Sequence, residues 1–117
     1  MILEPGSKTL IVHRRLFDTD GPRYFVGQVD AYEQGIARIS GHTWIVDQLG
    51  GTFFKKPDIR TKIVSLTSGA IIAYQLPSDT DLVSVRFERT LGKLVLADGK
   101  ELRMDLSESE HPPSRRR

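Results

Sequence analysis

Two phenylalanines and four cations crowd one short segment, TFFKKPDIRTK, between Thr52 and Lys62. Phe53 and Phe54 adjoin Lys55 and Lys56, Arg60 and Lys62 follow, and Asp58 is the segment's only acid. Aromatic rings beside cations are what a single-stranded nucleic acid requires of a surface, because rings stack bases while cations follow the phosphates. The plainer reading makes the segment a surface loop with one phenylalanine tucked into the core. His13-Arg14-Arg15 is a second basic cluster. If it lies near the first, Arg14 and Arg15 join the candidate contacts.

Other chemistries find little in the chain. His13, His42 and His111 are the only histidines, and no two stand at a metal-ligand spacing. Asp18-Thr19-Asp20 and Asp79-Thr80-Asp81 do not continue into a calcium loop with a glycine and a distal glutamate, so both are read as turn chemistry. Gly50-Gly51 lacks the lysine and helix start of a phosphate-cradling loop. No nucleophile elbow is present, and the serines fall in turns. The expectation is a protein that is not an enzyme and holds neither a metal nor a cofactor. Trp44, between Thr43 and Ile45-Val46, is expected to anchor a core or an interface.

Composition narrows the setting. A chain of 117 residues suits one domain around one core. The 17 basic and 15 acidic side chains nearly balance, and Arg115, Arg116 and Arg117 sit in the tail, so the body is close to neutral. The basic pI is therefore weak support for a nucleic-acid partner. Runs such as Leu10-Ile11-Val12 and Ala70-Ile71-Ile72-Ala73 are far too short to cross a bilayer. Met1 to Gly6 does not read as a secretory signal. There is no cysteine, which excludes disulfides and thiol chemistry and fits a cytoplasmic location.

The elements that must position these residues read as strands. No window keeps the helical apolar spacing with a cap at each end. Short β-branched and aromatic runs alternate with Gly, Pro, Asp and Ser, which is the all-β pattern. Strands are expected at about 8–17, 24–31, 36–39, 43–46, 63–66, 70–76, 83–89, 94–97 and 101–106. Gly35 suits a turn that needs positive φ. Gly41-His42 is expected to be a bulge or corner that lets one strand bend and serve two sides of a barrel. The segment 52–62 reads as irregular because Pro57 cannot donate to a central ladder. A single helical turn is an option at 77–81. Asp98-Gly99 signals a two-residue hairpin turn. The polar, Pro-containing stretch 107–117 is expected to be disordered, leaving one domain over 1–106.

The stretch Gly21 to Gly41 resembles the first motif of the Sm-like family. In that motif a glycine ends the first turn, a second permits a sharp bend in the next strand, and an apolar residue follows two later. Gly21, Gly27 and Val29 fill those places, with one residue more than usual between the glycines. Glu33 stands where the family commonly has aspartate. The family's RNA-contacting asparagine would fall near Ala37. Its second motif, an arginine-glycine pair, would fall on Ser68-Gly69, where only the glycine matches. No N-terminal helix is apparent. The resemblance covers roughly residues 8–76 and implies a small, strongly bent SH3/Sm-like barrel, RNA binding and ring assembly through strand edges.

The combined reading is an all-β bent barrel followed by a C-terminal three-strand meander. Its expected role is non-enzymatic binding of single-stranded nucleic acid as a homo-oligomer. The alternative is a protein-interaction or assembly module that works through exposed strand edges, of which Ala70 to Leu76 is the candidate.

Overall fold

The computed structural model describes residues 3–13, 23–46, 53–90 and 93–106. Among them nine strands follow in chain order: β1 (Lys8–His13), β2 (Arg23–Glu33), β3 (Ile36–Val46), β4 (Phe53–Lys55), β5 (Arg60–Ser65), β6 (Ile71–Leu76), β7 (Arg86–Thr90), β8 (Lys93–Ala97) and β9 (Arg103–Asp105). No helix occurs among the described residues, and none is long and apolar enough to cross a membrane. The all-β class and the C-terminal meander follow the alternation of strand and turn residues in the chain.

The first six strands form one antiparallel sheet in the order β4-β3-β2-β1-β6, with β5 also pairing β3. The last three form the meander β7-β8-β9. Gln34 (φ 48°) and Gly35 (φ 85°) both adopt left-handed backbone in the two-residue turn between β2 and β3. That double positive φ suits the right-handed twist of a hairpin. Past the turn the register shifts between Val29 and Ala31, so Asp30 is the extra residue of a bulge. The Ser40 hydroxyl donates to the Asp30 carboxylate at 2.5 Å and fixes that bulge.

Gly27 faces Gly41 across the same hairpin. A Cβ on Gly27 would overlap the Ser40 carbonyl oxygen and lie 2.8 Å from its carbon. A Cβ on Gly41 would overlap the Val26 carbonyl oxygen. The two backbones thus approach more closely than any other residue type allows. β3 stays continuous through Gly41-His42. Its first half, Ile36 to Gly41, pairs with β5, and its far end, Trp44 to Val46, pairs with β4.

β1 and the first half of β2, Tyr24 to Gly27, are buried on both faces, which is why their apolar residues run together. On one face Ile11, Phe25, Val29, Ala37 and Ile39 form a core with Leu3, and Val64, Leu66 and Ile71 pack against it. On the other, Leu10, Val12, Tyr24, Val26, Trp44 and Leu76 meet Val85, Phe87, Leu94, Leu96, Leu102 and Leu106 of the meander region. Phe87 is the centre of this second core. Its ring lies 4.8 Å from that of Tyr24, 5.2 Å from Trp44 in an edge-on arrangement, and 5.5 Å from Phe53 in a stack.

Two local expectations are corrected. Of the segment 52–62, the described part 53–62 is not an irregular loop: β4 and β5 are successive pieces of one edge along β3, interrupted at 56–59. Lys56 N–H still donates to the Thr43 carbonyl at 2.9 Å, so the proline falls where the ladder needs no donor. Asp98-Gly99 does not close a two-residue hairpin, because Ala97 pairs with Arg103 and the connection runs from Asp98 to Leu102. The Asp98 carboxylate organises it by accepting from the backbone N–H of Lys100 (2.8 Å) and Leu102 (3.1 Å), while also accepting from Asp81 N–H (3.0 Å). Those amide donors hold the Asp98 carboxyl below its ordinary range. At 77–81 the chain makes a turn, with Thr80 N–H donating to the Pro77 carbonyl at 3.0 Å.

The glycine geometry has a direct test. Gly27→Ala should cost about 2–3 kcal/mol through overpacking against backbone that cannot move aside. Gly69→Ala should stay within about 0.5 kcal/mol, because a Cβ there meets nothing within 4 Å and the residue has no positive φ. Urea unfolding of both variants checks the contrast, and equal midpoints would contradict it.

Candidate nucleic-acid interface

The alternation of β4 divides the two phenylalanines. Phe53 turns inward, half-buried, and stacks on Phe87. Phe54 turns outward and is 58% exposed. Lys55 lies on the inward side with its Nζ 6.0 Å from the Trp44 ring centroid, and Lys56 is exposed. Trp44 itself is buried among the residues around Phe87.

β5 repeats the division with a different result. Lys62 and Val64 share the side that meets the Phe25 core, whereas Thr61, Ile63 and Ser65 face outward. The Lys62 Nζ stands 4.6 Å from the Phe25 ring centroid. That position is attractive to a cation because the ring face is electron-rich. Arg60 is exposed and lies 3.6 Å from Asp58, a surface ion pair of small energetic weight.

Two residues set apart in the sequence join this group. His13 and Arg23 are directly paired across β1 and β2, and they continue the face that carries Ile11 and Phe25. Burial pushes the His13 imidazole below its ordinary range, and the charges of Lys62 and Arg23 push it further. Burial likewise lowers the Lys62 ammonium, followed by the charges of Arg23 and Arg60. The cations of this region thus fall into two sets. Lys55 and Lys56 flank the exposed Phe54 on β4, while Lys62, Arg60, Arg23 and His13 gather beside Phe25.

Arg14, Arg15 and Gly21 lie outside the described residues, as does the stretch 107–117. Val29 is buried in the Phe25 core, and Gly69 sits in the turn before β6. Sequence reasoning missed Arg23 altogether; it placed His13 in a basic cluster with Arg14 and Arg15 but left open whether that cluster lies near Lys62. The signal that pairs them is the β1–β2 register, which the nine residues between them in the chain conceal. Comparison with family models, curated proteins and solved structures gives no match.

The electrostatic coupling is testable by titration. His13 has a depressed folded-state pKa, so its neutral form contributes stability above the ordinary value of 6.5, and that contribution is lost as the pH falls through the folded value. Lys62→Gln removes one of the two opposing charges. The expected result is an upward move of the His13 titration midpoint, read from its imidazole NMR signals. An unchanged midpoint would show that the two groups are not neighbours in solution.

Proposed function

We propose that this protein is a non-catalytic, single-stranded nucleic-acid-binding module that works as a homo-oligomer in the cytoplasm. The observation that carries the reading is Phe54, a large ring displayed to solvent on a strand whose neighbours are Lys55 and Lys56 and whose continuation bears Arg60 and Lys62. An exposed ring offers a base a stacking partner, and the cations line a path for the phosphates. The resemblance of Gly27 and Val29 to the Sm-like motif supports the same class of partner, and the cysteine-free composition is compatible with a reducing compartment.

Strand edges support the oligomeric part. Among the described residues no ladder joins β5 to β6, so the sheet has an open edge at each. Ile63 on β5 is 75% exposed and Ile72 on β6 is 42% exposed. Open edges with apolar side chains invite pairing with another chain. They also favour the second reading, a protein-interaction module that uses those edges without nucleic acid.

Gel-shift titration with single-stranded RNA and DNA over a range of salt separates the readings. Binding should weaken linearly in logarithmic salt, with a slope of roughly −0.7 per phosphate contact. Phe54→Ala should cost about 1–3 kcal/mol of affinity while leaving that slope nearly unchanged, whereas Lys56→Gln should flatten it. Failure of the wild type to bind either strand removes the nucleic-acid reading. For assembly, light scattering after size exclusion should give a mass above one chain, reduced by Ile72→Lys in a folded protein. A single-chain mass for the wild type at micromolar concentration removes the oligomer. An oligomer that survives Ile72→Lys moves its interface off this edge.

A further inference from the structure

We propose that His13, Arg23 and Lys62 form a seat for one phosphate group, built over the ring of Phe25. That a nucleic-acid strand supplies the phosphate rests on the reading above; the seat itself rests on geometry. The paired positions of His13 and Arg23 put their Cβ atoms on one face of the β1–β2 ladder. Phe25 follows Arg23 by two residues on that face, and the Lys62 Nζ stands 4.6 Å from its ring centroid, reaching in from β5. On its other side β1 pairs His13 with Ile71 of β6, which brings no charge.

No carboxylate answers these cations among the described residues. Asp58 is the nearest acid in the chain to β5, and it faces Arg60. Like charges set opposite one another in a ladder are unfavourable, and an oxyanion seated among them would reverse that sign. The donor set suits a phosphate. The Arg23 guanidinium presents a planar fork to two oxygens, the Lys62 ammonium supplies a point charge to a third, and the imidazole donates one N–H. A phosphate arriving there favours the protonated imidazole, so His13 reports its occupancy.

The experiment uses the full chain and inorganic phosphate, exchanged against chloride at constant ionic strength. Imidazole NMR signals of His13 and His42 are followed, assigned with His13→Gln. Saturable movement of His13 and an upward shift of its titration midpoint, with His42 unmoved, are expected. Arg23→Gln alters an exposed side chain and should weaken the response about tenfold, while Lys62→Arg should keep it and Lys62→Gln lose it. Equal response of both histidines, or none at His13, overturns the seat whether or not an oligonucleotide binds. A second arm adds single-stranded oligonucleotides of one sequence, with and without a 5′-phosphate. Displacement of phosphate by both assigns the seat to strand phosphodiesters, and displacement by the phosphorylated strand alone assigns it to a terminal phosphate. Displacement by neither, with the His13 response intact, upholds the seat and overturns its assignment to a nucleic-acid strand.

Discussion

The close approach of Gly27 and Gly41 is the constraint from which the arrangement of the sheet follows. With no Cβ on either residue, β2 and β3 cross at a separation that side chains would forbid. The ladder holds through this close approach, from Glu33–Ile36 at the turn to Arg23–Ile45 at the far end, with one bulge at Asp30. Its turn half carries Val29, Ala37 and Ile39 into the Phe25 core, while its far half carries Tyr24 and Trp44 to Phe87. A single pair of strands therefore contributes to two cores.

That division explains the meander. A sheet buried on one face only would show alternating apolar and polar residues, but Leu10-Ile11-Val12 and Tyr24-Phe25-Val26 are apolar without interruption. Each such run needs a cover on either side. Ile11 and Phe25 find theirs within the bent sheet, and Leu10, Val12, Tyr24 and Val26 find theirs in Val85, Phe87, Leu94 and Leu96. Two polar ties set the approach of the covering layer. The Lys8 ammonium donates to the Thr80 carbonyl at 2.6 Å, and Asp98 accepts from Asp81 N–H. Asp81 in turn accepts from the Ser84 hydroxyl and meets Lys100, and these partners bring its carboxyl down to about 2. The turn 77–84 is thus held from β1 and from the β8–β9 connection together.

What could be read in the chain divides along the same physical line. Strand type and the positive φ at Gly35 are local properties, written in β-branched runs and glycines, and they are legible. The role of Pro57 was overestimated, because a proline disrupts a ladder only where a donor is required, and the interruption between β4 and β5 requires none. Asp98-Gly99 has the composition of a tight hairpin, but the Asp98 side chain captures the amides of Lys100 and Leu102 and lengthens the connection. Which phenylalanine of the pair faces water depends on the parity of a three-residue strand, and sequence alone offers no reference for that parity. The gathering of His13, Arg23 and Lys62 is a tertiary property of three strands, so no spacing in the chain announces it.

The surface chemistry inherits its layout from the two faces of the sheet. β4 and β5 both lie along β3, with Lys55 opposite Trp44 and Lys62 opposite Ile39. Trp44 and Ile39 point to opposite faces of β3, so the inward residues of β4 meet Phe87, whereas those of β5 meet Phe25. Phe53 and Lys55 are consequently absorbed by the Phe87 core, where a ring and an aliphatic stem can be covered. Lys62 comes instead to the rim of the Phe25 core beside His13 and Arg23, where its stem is partly covered and its ammonium meets like charge. A residue pattern that looks uniform from Phe53 to Lys62 is thereby split into an aromatic display at Phe54 and a concentration of positive charge by Phe25.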